Sequence, residues 1–177
     1  MINFILLFSM FLFGMIMIFL KFWFVSAVIF VSFVFGILFS WIMKKTRFKL
    51  YHKTLIYISL WMSIIGELGL YVRWDGYDKL LHLIIPFFLA YLVSFYFRKS
   101  EIKYKRFIIF LVVLGMGGIF EVFEFFMDSF IGMSMVGVTN ISKEILMDEW
   151  TDTIWDLIMA MLGAIIFFML NFLKNEI

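Results

Sequence analysis

The stretch DKLLHLIIPFFLAYLVSFYFRK, residues 78–99, contains the pattern on which the fold assignment rests. A mainly apolar run extends from Leu83 to Phe97, with acidic residues and a histidine before it and basic residues after it. About 20 helical residues cross the hydrocarbon core of a bilayer, where lipid cannot satisfy exposed backbone groups. We therefore predict a membrane-spanning helix over residues 80–97, with one acidic and one basic end.

Five further stretches resemble this one, and together they leave little sequence for a soluble domain. The chain has 177 residues, of which 65% are hydrophobic, and its mean hydropathy is +1.07. Its lack of cysteine excludes disulfides and thiolate metal ligands. We predict an all-α membrane protein, one integral membrane domain over residues 1–177, with about six transmembrane helices at residues 3–20, 22–43, 54–71, 80–97, 107–126 and 151–172.

The first two spans contain no internal charge and are separated by a short segment around Lys21. This spacing predicts an N-terminal helical hairpin over residues 1–43, although a single bent or re-entrant segment would also fit. Chemically reactive groups are then expected in a four-helix core formed by spans three to six, residues 54–172. The hairpin is expected to pack beside that core.

Basic residues concentrate in two loops, residues 44–53 and 98–106. Loops rich in Lys and Arg are retained on the cytoplasmic side. We therefore expect a plasma-membrane protein with both termini in the cytoplasm, and we expect His52 to be solvated in the first of these loops. Topology and anionic lipid explain the basic residues, so the net charge of +2 gives no reason to expect a nucleic acid partner.

Eleven of the thirteen acidic residues fall in the opposite half of this topology, all except Glu101 and Glu176. Several form pairs three or four residues apart, and such pairs share one face of a helix. Facing lipid would cost a carboxylate several kcal/mol, so these faces should point into the bundle. The expected cluster consists of Asp78 and His82, Glu121 and Glu124, and Asp152 and Asp156.

So many carboxylates in a layer of low dielectric, with few basic partners, cannot all remain ionised and unpaired. Protonation, water in an open cavity or a bound divalent cation would each resolve the repulsion. Carboxylates and an imidazole on facing helices favour Mg, Mn or Fe, with Zn possible through His82. All six residues are candidate metal ligands, and His82, Glu121 and Glu124 are candidates for proton transfer. For Asp78 a solvated position at the helix start is an equally good reading, and Lys79 beside it lies close to the predicted interface.

The motifs DKLLH at residues 78–82, EVFE at 121–124 and DTIWDL at 152–157, with the Gly163–Ala164 pair, resemble the YjdF family of small membrane proteins. A more distant similarity is to VanZ-like membrane proteins. The chain departs from the VanZ-like pattern at Glu124, where those proteins tend to have glutamine, and from both patterns at Ala160, where asparagine is expected. The resemblance implies a fold and a residue pattern only. It implies no activity, because the activity of the YjdF family is unassigned.

Three functions are compatible with these observations. The first is a metal-assisted membrane enzyme acting on a lipid or isoprenoid phosphate, in which the cation binds phosphate oxygens and His82 or a glutamate moves protons. The second is a transporter or channel for cations or protons, which would need charged groups along a path to the cytoplasm. The third is a non-catalytic membrane scaffold whose acidic layer binds a cation or a basic helix.

Overall fold

The computed structural model describes residues 2–44, 48–74, 76–131, 138–139 and 145–173. It is built almost entirely of helices, which confirms the predicted all-α membrane class. Five helices are long and apolar enough to cross a membrane: Trp23–Met43, Leu50–Leu70, Tyr77–Lys99, Lys105–Phe126 and Glu149–Asn171. The first predicted span corresponds to a shorter apolar helix, Phe4–Phe19 within α1.

The chain divides into two compact units, Met1–Leu70 and Tyr71–Ile177. The third helix belongs to the first unit, where it packs with the two helices of the hairpin. This grouping differs from the predicted four-helix core of spans three to six. Hydrophobic periodicity identifies a helix and its apolar face, but it does not specify which neighbour that face will contact.

In the first unit, α1 (Ile2–Phe19) and α2 (Trp23–Lys44) form the predicted hairpin around Lys21. Lys21 adopts a left-handed conformation with φ of 64°. Its N–H donates to the Ile18 carbonyl at 2.9 Å and the N–H of Phe22 donates to the Met17 carbonyl at 2.9 Å, the hydrogen-bond pattern of a Schellman turn. These bonds satisfy carbonyls at the end of α1 and reverse the chain in three residues.

The third helix, α3 (Leu50–Ile65), is followed by a π-helical turn at Gly66–Leu70, which is kinked at Gly69, and then by the short α4 (Tyr71–Arg73). Gly69 in this turn has φ of 119°, a conformation open to glycine and strained for other residues. The core of this unit contains Met10, Met17, Ile29, Tyr57 and Ile64.

The expectation that His52 is solvated was wrong. It lies in the first turn of α3 and is fully buried. Its Nδ1 accepts a hydrogen bond of 3.0 Å from the backbone N–H of Lys49, and its ring stacks on Tyr51 with a centroid separation of 4.0 Å. The imidazole therefore caps the start of α3, a role that a position within a basic segment does not reveal.

The second unit contains α5 (Tyr77–Tyr96), which ends in a 3₁₀ turn at Phe97–Lys99, then α6 (Lys105–Ile131) and α7 (Glu149–Leu173). A small antiparallel ribbon of β1 (Val138–Thr139) and β2 (Ile145–Met147) precedes α7. The last helix packs against both α5 and α6. The buried apolar cluster of this unit contains Ala90, Ile109, Val113, Ala164 and Phe167.

A close helix crossing fixes α7 against α5. A Cβ atom added at Gly163 would lie 2.2 Å from the Leu83 carbonyl oxygen, so only glycine permits this approach. A Cβ atom added at Gly117 on α6 would lie 3.7 Å from Ala160 Cβ, whereas one added at Gly115 would have no neighbour within 4 Å among the described residues. Ala160 is 1% exposed. The side chain at position 160 is therefore enclosed by its neighbours.

Candidate functional site

Charged and polar side chains of the second unit meet at one end of its three helices. Asp78, Lys79 and His82 lie in the first two turns of α5, and Asp152 and Asp156 lie in the first two turns of α7. Glu121 and Glu124 come from the later part of α6. All six residues predicted from the sequence are therefore brought together, and Lys79 joins them.

Lys79 lies at the centre of a network of ion pairs. Its Nζ contacts Asp156 Oδ1 at 2.6 Å and Asp78 Oδ2 at 3.2 Å, and it also pairs with Asp152 Oδ1. The side chains of Lys79, Asp152 and Asp156 are 15%, 5% and 2% exposed. Removal of one member of a buried ion pair is strongly destabilising because the partner keeps an uncompensated charge. This network therefore ties α5 to α7.

Sequence reasoning did not assign Lys79 to the site, because its position at a helix start resembles that of an ordinary interfacial charge. One signal was available. Lys79 directly follows Asp78 and is the basic residue nearest along the chain to the Asp78–His82 pair. Several carboxylates close together repel one another, and a nearby lysine ammonium group reduces that repulsion.

His82 lies between the aspartates and the glutamates. Its Nε2 is 3.7 Å from Asp78 Oδ1, and its Nδ1 is 3.5 Å from Glu121 Oε1 and 3.9 Å from Asp156 Oδ1. These separations exceed the usual hydrogen-bond range of about 2.7–3.2 Å. The imidazole is only 10% exposed and its ring packs near that of Phe120. Its nitrogen atoms thus face carboxylates on two sides without close contact.

The two glutamates of α6 form the least satisfied part of the cluster. Glu121 is 6% exposed and Glu124 is 9% exposed. Neither carboxylate oxygen of Glu121 has a hydrogen bond of ordinary geometry among the described residues, although the Thr153 hydroxyl interacts with this group. A buried carboxyl group without a satisfied partner is costly. Such a group requires a proton, a water molecule or a cation.

Two sets of these side chains could hold a metal ion: Asp78, His82 and Asp156, and His82, Glu121 and Glu124. Within each set the candidate ligand atoms all lie within 4.8 Å of one another. Ligand atoms around a common ion with bonds of about 2.1 Å lie roughly 3–4 Å apart. Small side-chain movements would therefore bring either set to coordination distance. His82 belongs to both sets.

The remaining acids of this side have other positions. Asp148 is exposed and caps α7, accepting hydrogen bonds from the Thr151 N–H at 3.1 Å and the Thr151 hydroxyl at 2.7 Å. These bonds favour the ionised form and hold the pKa of Asp148 below its usual range. Glu149 is exposed and Glu67 lies in the first unit. Three acids lie outside the residues or side chains that the structure describes: Asp75, Asp128 and Glu144.

The arrangement defines a class of protein: a multi-pass helical membrane protein with a buried cluster of carboxylates, one histidine and one lysine. The chain belongs to a family described as "Predicted membrane protein (DUF2238)", whose model matches residues 1–175. No curated protein and no solved structure matches the chain.

Proposed function

We propose that this protein binds a divalent metal ion within the membrane, at the His82, Glu121 and Glu124 side of the cluster. The observation that carries the proposal is the buried carboxylate of Glu121, whose oxygens have no hydrogen bond of ordinary geometry among the described residues and whose Oε1 lies 3.5 Å from His82 Nδ1. A cation between these groups would compensate both the buried charge and the missing hydrogen bonds. An imidazole with two carboxylates is a ligand set that suits Mn, Fe or Zn, and Mg binds carboxylates of this kind.

The charge balance of the cluster supports a cation. Five carboxyl groups meet one ammonium group: Asp78, Glu121, Glu124, Asp152 and Asp156 against Lys79. Because Lys79 contacts the aspartates, the two glutamates are the acids whose charge it compensates least. A divalent ion on the glutamate side would neutralise them without disturbing the ion pairs of Lys79.

The activity that best fits such a site is that of a metal-assisted enzyme acting on a lipid or isoprenoid phosphate at the outer leaflet. A bound metal would polarise phosphate oxygens, and His82 or one of the glutamates would transfer protons. The similarity to the YjdF family, and more distantly to VanZ-like proteins, covers the residues of this site but supplies no reaction. We place the protein in the plasma membrane, with both termini in the cytoplasm, because the loops rich in Lys and Arg, residues 44–53 and 98–106, alternate with loops that contain few basic residues.

Transport of cations or protons is less well supported. Beyond the cluster, residues 83–97, 107–120 and 157–170 contain no Asp, Glu, Lys, Arg or His. The apolar cluster around Ile109, Val113 and Phe167 fills the interior of this unit on that side. A relay to the cytoplasm would need polar groups along this path.

A scaffold role has one observation in its favour, because the ion pairs of Lys79 join α5 to α7 directly. In that case the cluster would stabilise the bundle without binding a substrate. Metal binding with no turnover of any lipid phosphate, and unfolding on metal removal, would favour the scaffold role.

Metal analysis of the purified protein tests the proposal. Detergent-purified wild type, reconstituted in turn with Mg, Mn, Fe and Zn, is expected to retain stoichiometric metal by elemental mass spectrometry. His82→Ala and the Glu121→Gln, Glu124→Gln double variant are expected to lose it. Glu149→Gln is the matched control, since this acid lies on α7 but is exposed. Wild type without metal under all four conditions would reject the metal site. If wild type retains metal, turnover of lipid phosphates is assayed with the metal-loaded protein.

A further inference from the structure

The ammonium group of Lys79 occupies a position that resembles a cation site. Three aspartates surround its Nζ, with Asp156 Oδ1 at 2.6 Å, Asp78 Oδ2 at 3.2 Å and Asp152 Oδ1 also in contact. The backbone carbonyl of Asp152 lies 3.5 Å away. Carboxylate and carbonyl oxygens arranged around one point are the ligands that hard divalent cations prefer.

We propose that Lys79 is a built-in counter-cation that fills a second cation position, so that the site accepts one divalent metal ion instead of two. This inference rests on the proposed function, because it assigns the single metal to the His82, Glu121 and Glu124 side. Two of the aspartates that Lys79 contacts, Asp78 and Asp156, belong to the first of the two potential ligand sets. The lysine closes the aspartate side and leaves the glutamate side open.

Within the part of the chain that the structure describes, Lys79 has no alternative partner that would release the aspartates. Its side chain is 15% exposed, and the contacts described for its Nζ are with oxygen atoms of Asp78, Asp152 and Asp156. An ammonium group carries one positive charge against the three carboxylates. A divalent ion in its place would compensate more charge, but it can enter only if the tethered ammonium leaves.

The test compares metal content in wild type and Lys79→Ala, both as full-length protein in detergent, stripped with a chelator and reloaded with Mn²⁺. Wild type is expected to bind one Mn²⁺ per chain and Lys79→Ala two. Lys79→Arg keeps the positive charge and is expected to bind one. Lys103→Ala, in the loop before α6, controls for the loss of an exposed lysine.

Further variants assign the second ion and guard against misfolding. Adding Asp156→Asn to Lys79→Ala is expected to return the content to one ion, because Asp156 would be a ligand of the second. If Lys79→Ala is not monodisperse by size-exclusion chromatography, Lys79→Ala with Asp152→Asn is measured instead. This variant removes one of the three carboxylates that lose their lysine partner, and it retains the other two, Asp78 and Asp156.

The outcomes separate the inference from the proposed function. One ion in wild type and also in folded Lys79→Ala would overturn the counter-cation role while leaving the metal site intact. Two ions in wild type would likewise overturn it. Metal in Lys79→Ala but none in wild type would support the role of Lys79 and reject the metal site at the glutamates. An absence of metal from both proteins would overturn both proposals.

Discussion

Replacing Gly163 with alanine tests the helix crossing that positions the cluster. The new Cβ would lie 2.2 Å from the Leu83 carbonyl oxygen, whereas comparable carbon–oxygen contacts have a length of about 3.3 Å. The helices α5 and α7 would therefore have to separate by about 1 Å at this point. A similar displacement would stretch the pair between Lys79 Nζ and Asp156 Oδ1 from 2.6 Å to beyond ordinary hydrogen-bond length.

Over-packing of this kind costs about 1–3 kcal/mol. For a chain of this size, that loss corresponds to a fall in Tm of roughly 2–12 °C. Thermal unfolding in detergent, followed by the loss of the monodisperse peak in size-exclusion chromatography, would measure the change. We also expect weaker metal binding in Gly163→Ala, because α7 packs against both α5 and α6 and a shift of α5 would move His82 relative to Glu121 and Glu124.

Two other glycines supply matched controls. Gly115→Ala would add a Cβ with no neighbour within 4 Å among the described residues, and Gly117→Ala would add one at 3.7 Å from Ala160, an ordinary contact. Both are expected to keep the wild-type Tm or to exceed it slightly, since alanine favours helix formation over glycine. If Gly163→Ala unfolded at the same temperature as Gly115→Ala, the close crossing at Leu83 would be refuted.

Three further predictions concern the metal, a helix cap and the topology. A chelator should lower the Tm of metal-loaded wild type but not that of the Glu121→Gln, Glu124→Gln double variant, because metal stabilises only a fold that binds it. Equal Tm shifts in the two proteins would contradict this. The Asp148 cap stabilises the fold fully at pH values above the ordinary carboxyl pKa, and this stabilisation is lost as pH falls through the lowered pKa of Asp148. The Tm difference between wild type and Asp148→Ala should therefore narrow in acid. A constant difference would argue against the cap. Because the chain lacks cysteine, Lys103→Cys and Glu149→Cys can be labelled singly in intact cells. A membrane-impermeant thiol reagent should label only the second, and the reverse result would invert the topology.

The spacing of acidic residues along the sequence predicted much of the candidate site. The pairs Glu121 with Glu124 and Asp152 with Asp156 share helix faces because of the 3.6-residue period, and the high cost of a charge in lipid turns those faces inward. The structure places both pairs in the interior of the second unit. Lys79 escaped this reasoning because it has no periodic partner on its own helix. Its aspartate partners on α7 are more than seventy residues away in sequence.

The sequence by itself determined the membrane class, the positions of the long helices, the hairpin at Lys21 and the residues available for a site. These features depend on local composition and on the requirement that backbone groups be satisfied within lipid. The tertiary structure alone decided that α3 packs with the hairpin, that His52 is buried and that Lys79 pairs with Asp152 and Asp156. Such contacts depend on how closely and at what rotation two helices meet, and a single small residue such as Gly163 sets that distance.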